Sequence, residues 1–457
     1  NGNLWLALGH GIDYIEINSP FSHITPDNDL VETGYDVKIH NDKIYFGASS
    51  GLYEADWKLY YNPLHHSPFK SIDNLKGQVW NIDIFKNEVL IGHHDGTFRI
   101  ENDKGVKLAN STGTWAFTSL KNHPDKLISG NYTGLNLFNF ENGNWNYEDF
   151  IKKMPTESCR ILAEDENGIL WIAHPYRGVF RVVLDIENKT VKSIKLYNSK
   201  NGFPSDNFIH VFQIGEGVVF TGEYGIFEYN AKKDSFLLSE QWGKLIPLEN
   251  RIHYLKEDKY GNIWFVANHE VGVFHLNDIG VEKNWERQDF PQLTGLLVGG
   301  FEQIYPFDVE NVFFPLERGF MHLNPQKNQS EDFLFNVHLN RVILNDHETV
   351  FGGFKTQTQS TSQFNYPLNA ITFEYGATEF STFFSPKFQF KLKGLDSEWS
   401  AWNEKNEKEY TALPYGKYEF QLRAKNGLGQ ISNAQIYEFE ILPPWYATRS
   451  AFWVYTL

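Results

Sequence analysis

A set of polar and aromatic side chains lies at or beside the tips of short hairpins, where they are available to a ligand. Aromatic rings can stack on the flat face of a small polar molecule, and Arg, Asn, His and Glu can hydrogen-bond its hydroxyl or carboxylate groups. The sequence therefore predicts a site that binds a polar ligand. The candidate residues are His94, Asn131, Tyr132, His174, Tyr176, Arg177, Glu223, Tyr224, Asn268, His269 and Arg318.

The same residues give little support for catalysis. The sequence has no paired-carboxylate motif and no cysteine and histidine cluster with zinc spacing, so no catalytic residue, metal site or cofactor is predicted. The nearest acid–base candidates are Glu223 with Tyr224 and Glu317 with Arg318. Adjacent residues of a strand point to opposite faces, which argues against either pair acting together. A plainer interpretation also stays open, in which the candidates are solvated loop residues and the tyrosines pack between sheets.

The hairpins that carry these residues recur along the chain. The clearest is LWIAHPYRGVFRV, within residues 164–183, where two apolar runs rich in β-branched and aromatic residues meet at Gly178. Related hairpins lie at residues 3–17, 43–55, 88–100, 126–138, 218–230, 262–277 and 311–324. A repeat of about 40 to 50 residues built of short strands is typical of propeller blades with four strands each.

The repeat also predicts where the propeller begins and ends. A run that can form an inner strand precedes every hairpin except the first, so residues 31–339 are predicted to form a seven-bladed β-propeller. Residues 1–30 are predicted to be a partial blade that ends a preceding propeller, although they could instead close this one. The alternative fold is an array of β-sandwiches with accidental periodicity. In a propeller the hairpin tips open on one rim, which gathers candidates that are far apart in sequence.

The remainder of the chain predicts a second domain. Residues 340–443 contain short alternating strands, such as KFQFKLKG and QIYEFEIL, and are predicted to form an immunoglobulin-like β-sandwich, so the fold class is all-β. Residues 444–457 turn aromatic and apolar. They are predicted to be the juxtamembrane start of a transmembrane helix, with the membrane anchor just after Leu457. The alternative is a last strand or helix that docks on the protein.

Charge and cysteine content limit the function classes. The net charge of −16 argues against nucleic-acid binding by this chain, because phosphate contacts need a basic face. Cys159 is the single cysteine, so no internal disulfide can form. One cysteine fits either a cytoplasmic or a bacterial periplasmic protein.

The motifs in this order resemble a known family. LWIAHPYRGVFRV resembles the two-component-regulator propeller repeat, and FKLKGLDSEW, YTALPYGKYEFQLRAKN and PPWY resemble the triple-tyrosine domain that follows such propellers. Together they resemble the periplasmic sensor regions of Bacteroidetes transmembrane regulators. The flavobacterial subgroup with a LuxR-type helix-turn-helix output is the nearest, and hybrid histidine kinases are the alternative. One departure is Phe390, which stands where the first tyrosine is usual, so only Tyr410 and Tyr418 match.

The resemblance implies a function and a location. It implies the periplasmic part of an inner-membrane protein that senses a glycan-derived or other small polar ligand, forms a homodimer through the triple-tyrosine domain, and signals to a cytoplasmic output domain outside this chain. The fragment is then not an enzyme, although the full-length protein could carry a histidine kinase. The alternatives are a propeller-fold glycan lyase or hydrolase, and a protein-interaction scaffold.

Overall fold

The computed structural model describes residues 4–15, 17, 19–27, 32–57, 69–109, 111, 113–174, 176–244, 251–278, 283–327, 335–345, 347–352, 362–378, 385–427, 429–447 and 451. The chain divides into two compact units. One unit, which we call the propeller unit, is Pro20–Asn328, and the other, the sandwich unit, combines Asn1–Ser19 with Gln329–Leu457.

In the described part of the propeller unit the strands form seven groups of four, which we call blades 1 to 7. Blades 1 and 2 are joined by a single parallel bridge between Lys104 and Asp73. The strands, from inner to outer, are Gly34–His40, Lys43–Ala48, Gly51–Asp56 and Lys70–Lys76 in blade 1; Val79–Phe85, Glu88–His93, Gly96–Glu101 and Lys104–Lys107 in blade 2; Thr114–Leu120, His123–Asn131, Leu135–Glu141 and Asn144–Phe150 in blade 3; Ile161–Glu164, Leu170–His174, Gly178–Asp185 and Thr190–Tyr197 in blade 4; His210–Ile214, Gly217–Thr221, Ile226–Asn230 and Ser235–Leu238 in blade 5; Ile252–Glu257, Ile263–Ala267, Glu270–Asp278 and Lys283–Asp289 in blade 6; and Tyr305–Pro306, Val312–Pro315, Phe320–Leu323 and Phe21–Ile24 in blade 7. The helical turns are Ser199–Asn201, Glu240–Gly243 and Pro291–Leu293.

The middle strands are apolar throughout because both of their faces are covered. In the strand Leu170–His174, Leu170 and Ile172 point to a cluster shared with blade 3, whereas Trp171 and Ala173 point to a cluster shared with blade 5. A strand buried on both faces needs an unbroken apolar run instead of an alternating one. This is why the LWIA motif is a good signal for a blade.

Blade 7 takes its outer strand from the beginning of the unit. Phe21–Ile24 runs antiparallel to Phe320–Leu323, with Phe21 opposite Leu323 and Ile24 opposite Phe320. Blade 7 also packs against blade 1 through a cluster that includes Phe46 and Phe313. This corrects the prediction for residues 1–30, because Phe21–Ile24 belongs to blade 7 of this propeller and not to a preceding one.

The sandwich unit contains two four-stranded sheets that face each other across one apolar core. One sheet has the order Glu348–Gly352, Val337–Leu344, Ile371–Ala377, Glu407–Tyr410, and the other has the order Ser362–Asn365, Gln435–Leu442, Gly416–Lys425, Lys387–Lys393. The rings of Phe373 and Phe420 stack between the sheets at 3.9 Å. The predicted all-β fold is confirmed. The boundary predicted at residue 339 lies too late in the chain, because Phe335, Val337 and Leu339 pack in this core.

Two further segments belong to the sandwich unit. The strands Leu4–Leu8 and Gly11–Ile15 pair with each other and form a separate two-stranded sheet. Near the other end, Trp445–Ala447 is a single helical turn, and most of the predicted juxtamembrane segment lies outside the described residues. Within the described ranges, no helix has both the length and the apolar character needed to cross a membrane.

Candidate ligand-binding site at the mouth of the propeller channel

The beginnings of the inner strands surround a cavity of ≈ 270 Å³ in the propeller unit. Each blade contributes one side chain near the start of its inner strand. We call this set the mouth ring. Its members, in blade order, are Tyr35, Trp80, Trp115, Arg160, His210, His253 and Glu302.

Local irregularities in the strands define several of these positions. In blade 2 the pairing passes from Val79 opposite His93 to Asn81 opposite Gly92, so that Trp80 is the extra residue of a β-bulge. Tyr35, Trp115 and His253 occupy the same bulge position in blades 1, 3 and 6. A bulge re-aims the side chain of its extra residue. The repeated bulge therefore accounts for these side chains lining the cavity instead of packing between blades.

Blades 1 to 3 form the aromatic half of the mouth ring. Ring centroids are 4.7 Å apart for Tyr35 and Trp80, and 4.8 Å apart for Trp80 and Trp115. Phe301 stacks on Trp80 at 5.2 Å. All four side chains are half-buried, so this platform keeps surface that a ligand can cover. Partly exposed aromatic faces of this kind can stack on the flat face of a small polar molecule.

Blades 4 to 7 form the ionisable half of the mouth ring. The guanidinium of Arg160 lies 3.6 Å from the centre of the Phe301 ring and donates a hydrogen bond to the Gly300 carbonyl. His253 Nδ1 and Glu302 Oε1 are 2.9 Å apart. The mouth ring therefore places hydrogen-bonding groups opposite a stacking platform.

Burial shifts the pKa values of the ionisable half. Burial lowers the pKa of His210 to about 4, and the neighbouring Arg160 contributes to this, so His210 is neutral at pH 7. Burial also lowers the pKa of Arg160 to about 10. Burial alone would raise the pKa of Glu302, but hydrogen bonds from His253 and from backbone N–H groups hold it below its ordinary value. Glu302 is therefore the anion of the ring.

A second cavity of ≈ 370 Å³ adjoins the mouth and shares His253, Glu302 and Gly300 with it. Its lining includes the predicted residues Asn268 and His269. Two of the three predictions for blades 6 and 7 thus lie beside the mouth. Arg318, the third, is exposed, and its backbone carbonyl is 2.6 Å from His23 Nε2.

His94 and Tyr132 are also brought together at the mouth. The Tyr132 hydroxyl accepts a hydrogen bond from Trp80 Nε1 at 3.0 Å and lies 2.9 Å from His94 Nδ1. The Tyr132 ring is 4.6 Å from Trp115. These contacts extend the aromatic half towards the hairpin tips. By contrast, Asn131 is 1% exposed and accepts hydrogen bonds from Thr114 and Ser129 through Oδ1, so its side chain stabilises the loop from within.

The predicted residues of blade 4 form a cluster around Glu157. Arg177 pairs with Glu157 at 2.5 Å, and His174 Nε2 lies 3.5 Å from the same carboxylate. Tyr176 beside them is 68% exposed. In blade 5, Tyr224 is 53% exposed and Glu223 is half-buried. These side chains lie at hairpin tips and do not line the ≈ 270 Å³ cavity.

Sequence reasoning missed most of the mouth ring. Trp80 and Trp115 were considered as lining residues of the channel mouth but interpreted as core residues, and Arg160, His210, His253 and Glu302 were not predicted as ligand-binding residues. A signal was present, because each lies near the start of the run that precedes a predicted hairpin, so aligning the repeats would have brought them close together. In the described part of the chain, no group of three His, Cys, Asp or Glu side chains could hold a metal ion.

Hydroxyl groups of two tyrosines fix loops in the sandwich unit. Tyr410 donates to Asp396 Oδ2 at 3.0 Å, and Tyr418 donates to the Pro414 carbonyl at 2.8 Å. Phe390 packs half-buried against the same core. A family model described as the Y_Y_Y domain matches residues 379–442, which contain all three positions. This segment is a Y_Y_Y domain. The predicted triple-tyrosine domain is thus confirmed, and in this Y_Y_Y domain two of the loop-fixing hydroxyls are in place.

Similar solved structures extend over nearly the whole chain. The extracellular domain of a protein described as a hybrid two component system, BT3049 from B. thetaiotaomicron, matches with a TM-score of 0.63 and 18% identity over 96% of this chain and 60% of that one. The extracellular domain of BT4673 from the same organism, described as a one component system, matches with a TM-score of 0.48 and 16% identity over 97% of this chain and 61% of that one. This chain therefore spans less than two thirds of either structure. The first match confirms the predicted fold class, a propeller together with a Y_Y_Y domain. No curated protein sequence matches the chain.

Proposed function

We propose that this chain is the extracytoplasmic ligand-sensing region of a transmembrane regulator, and that the mouth ring binds a glycan-derived ligand. The observation that carries the proposal is the division of the ring into an aromatic half and an ionisable half around one cavity. A saccharide has both an apolar ring face and hydroxyl groups, so it matches both halves. The Y_Y_Y domain and the likeness to domains described as extracellular parts of regulators support a sensing role.

The proposal includes how the signal leaves the site. We propose that the Y_Y_Y domain passes it to a membrane anchor just after Leu457 and to a cytoplasmic output domain, either a helix-turn-helix or a histidine kinase. The chain would then be periplasmic and dimeric through its Y_Y_Y domain. A ligand can drive such a signal only if it binds two states of the protein with different affinity. Analytical ultracentrifugation of the chain with and without ligand tests the dimer, and a monomer under both conditions would contradict it.

Isothermal titration with a panel of neutral and acidic oligosaccharides tests the site. We expect at least one saccharide to bind, and Trp115→Ala to weaken its binding about 10-fold through loss of a stacking face. Tyr147→Ala is the matched control, because Tyr147 is 41% exposed on the outer strand of blade 3, away from the cavity lining. Equal weakening by both variants, or no binding by any saccharide, would contradict the proposal.

One observation favours a second function. The His253–Glu302 pair at 2.9 Å could serve as an acid and a base in a glycan lyase or hydrolase. Chromatography of saccharides incubated with the chain tests this. Product that forms with the native chain and not with Glu302→Gln would establish the enzyme, whereas binding without product would favour the sensor.

A further inference from the structure

Arg160 lacks an acidic partner at the mouth. Among the described residues no carboxylate forms an ion pair with its guanidinium, although most of this side chain is removed from water. Its position is nevertheless fixed, by the stacked Phe301 ring and by the hydrogen bond to Gly300. A guanidinium has five N–H donors, so a single carbonyl leaves most of them without a partner. The Glu302 carboxylate acts on this guanidinium through space and not through an ion pair, so the remaining N–H donors are suited to an anion from outside.

Neighbouring polar atoms at the mouth are also unsatisfied. His210 Nδ1 and Arg251 Nε are buried and have no hydrogen-bond partner among the described residues. Buried polar atoms are nearly always paired, so such atoms beside a cavity call for an additional group. His210 belongs to the ionisable half, and Arg251 lines the adjoining cavity. The guanidinium of Arg251 is fixed by its contact with the Phe208 ring at 3.3 Å.

The nearest carboxylate does not fill this role. Glu302 is already engaged by His253 at 2.9 Å and by backbone N–H groups of Gly300 and its own residue. His210 lies beside Arg160 in the ring and is neutral at pH 7, whereas His253 contacts Glu302. The cavity is therefore lined by the cations Arg160 and Lys256 and by one carboxylate, Glu302, which already accepts hydrogen bonds from its neighbours.

We propose that the mouth ring recognises an acidic saccharide, with the sugar ring on the aromatic half and its carboxylate on Arg160 beside His210. The inference rests on the proposed function and names its ligand class. A planar carboxylate can accept two parallel N–H bonds from a guanidinium, which adds orientation as well as affinity. A neutral saccharide would instead offer these guanidinium donors no charged acceptor.

Matched pairs of ligands test the inference. The chain is titrated at pH 7 with uronate-containing di- and trisaccharides, each paired with its own methyl ester, which lacks the negative charge and carries one additional methyl group. We expect each acid that binds to do so about 10- to 100-fold more tightly than its ester, the range for a charged hydrogen bond. Arg160→Gln should abolish this preference for the acid. Arg160→Lys should retain part of the preference, because lysine keeps the charge and loses the planar guanidinium.

Arg341→Gln is the matched control, since it removes the same charge from an exposed pair with Glu374 in the sandwich unit. This variant should leave the ratio of the acid and ester affinities unchanged. Thermal melts should show that Arg160→Gln, Arg160→Lys and Arg341→Gln are all folded. Esters that bind as tightly as their acids, with both weakened by Trp115→Ala, would overturn the inference and leave the proposed function intact. If no acid or ester binds while neutral saccharides do, the inference also fails. If nothing binds, both fail.

Discussion

The core between the blades and the mouth of the channel both contain tryptophans, yet their surroundings differ. Trp171 is 1% exposed, packs against Phe220 at 4.9 Å, and donates through Nε1 to Asp165 at 2.9 Å. Trp115 is half-buried and donates through Nε1 to Ser158 at 3.0 Å. Both indole N–H groups are satisfied, so hydrogen bonding does not separate the two residues. The difference is that Trp115 borders a cavity, and this marks a side chain available for binding.

Charged groups follow the same division. Asp36 is fully buried, and its carboxylate accepts hydrogen bonds from the backbone of Val37 and Ile82 and from Gln303, which joins blades 1, 2 and 7. Arg160 and His210, in contrast, retain polar groups without partners in the described part of the chain. The Asp36 carboxylate is thus engaged on several sides within the propeller, whereas Arg160 and His210 at the mouth keep free donors or acceptors. The predictions below compare residues of filled cores with residues at the mouth.

The largest expected difference is between Trp171→Ala and Trp115→Ala. Removing the indole from the filled core leaves a cavity and should lower the free energy of unfolding by roughly 3–5 kcal/mol, whereas the half-buried Trp115 should cost about 1 kcal/mol. Urea denaturation monitored by circular dichroism measures both. Equal losses would show that the mouth also holds the propeller together.

Much of the fold could be predicted from the sequence because each blade repeats a local signal. The hairpin predicted at residues 88–100, for example, forms the strands Glu88–His93 and Gly96–Glu101 of blade 2. The outer strand of blade 7 could not be predicted in this way, since Phe21–Ile24 pairs with residues at the other end of the unit. Pairing between distant segments leaves no periodic pattern in the sequence of either one.

The candidate site was predicted less well, for a related reason. Tyr132 and His94 at hairpin tips were recognised and do reach the mouth. The mouth ring itself lies at the start of inner strands, where a single Arg160 or His253 in an apolar run looks like any exposed strand residue. A bulge that turns such a side chain into the channel depends on pairing with the neighbouring strand, and the sequence of one strand does not show it.

Two histidines with lowered pKa values extend the comparison to pH. His322 is 4% exposed in blade 7, and burial lowers its pKa to about 4, the same value as for His210 at the mouth. Because the folded-state pKa lies below that of the unfolded chain, the unfolded chain takes up the proton first, and stability falls as the pH is lowered from about 6.5 to about 4. For His322 we expect a loss on the order of 2 kcal/mol.

Glutamine variants isolate this contribution. Because Asn311 Oδ1 lies 2.9 Å from His322 Nε2, the amide of His322→Gln can retain that hydrogen bond while the titration is lost, so the difference in stability between pH 7 and pH 4.5 should shrink. His210→Gln should reduce this difference in stability between pH 7 and pH 4.5 by less, because the His210 side chain is half-buried. Chemical denaturation at several pH values measures both. A larger effect at His210 would contradict the division between core and mouth.

The filled core of the sandwich unit gives an intermediate effect. Tyr410→Phe removes the hydroxyl that donates to Asp396 and should cost about 1–2 kcal/mol, because the half-buried carboxylate loses a hydrogen bond. Phe390→Tyr restores the tyrosine that the family usually has and should change stability by less than about 0.5 kcal/mol, since Phe390 is only half-buried. Thermal denaturation compares the two. A gain from Phe390→Tyr that matches the Tyr410 loss would contradict this.

The smallest effect on stability is expected from Tyr132→Phe at the mouth. Its hydroxyl links Trp80 Nε1 and His94 Nδ1, but Trp80 borders the cavity and His94 is exposed, so water can replace it. We expect the free energy of unfolding to fall by less than about 0.5 kcal/mol, while the tryptophan fluorescence shifts because the Trp80 indole loses its acceptor. Tyr147→Phe, on the exposed outer strand of blade 3, is the control and should leave the fluorescence unchanged. A stability loss as large as that of Tyr410→Phe would mean that the Tyr132 hydroxyl stabilises the fold as the paired groups of the core do. The distinction between core and mouth would then fail at the residue where the two regions meet.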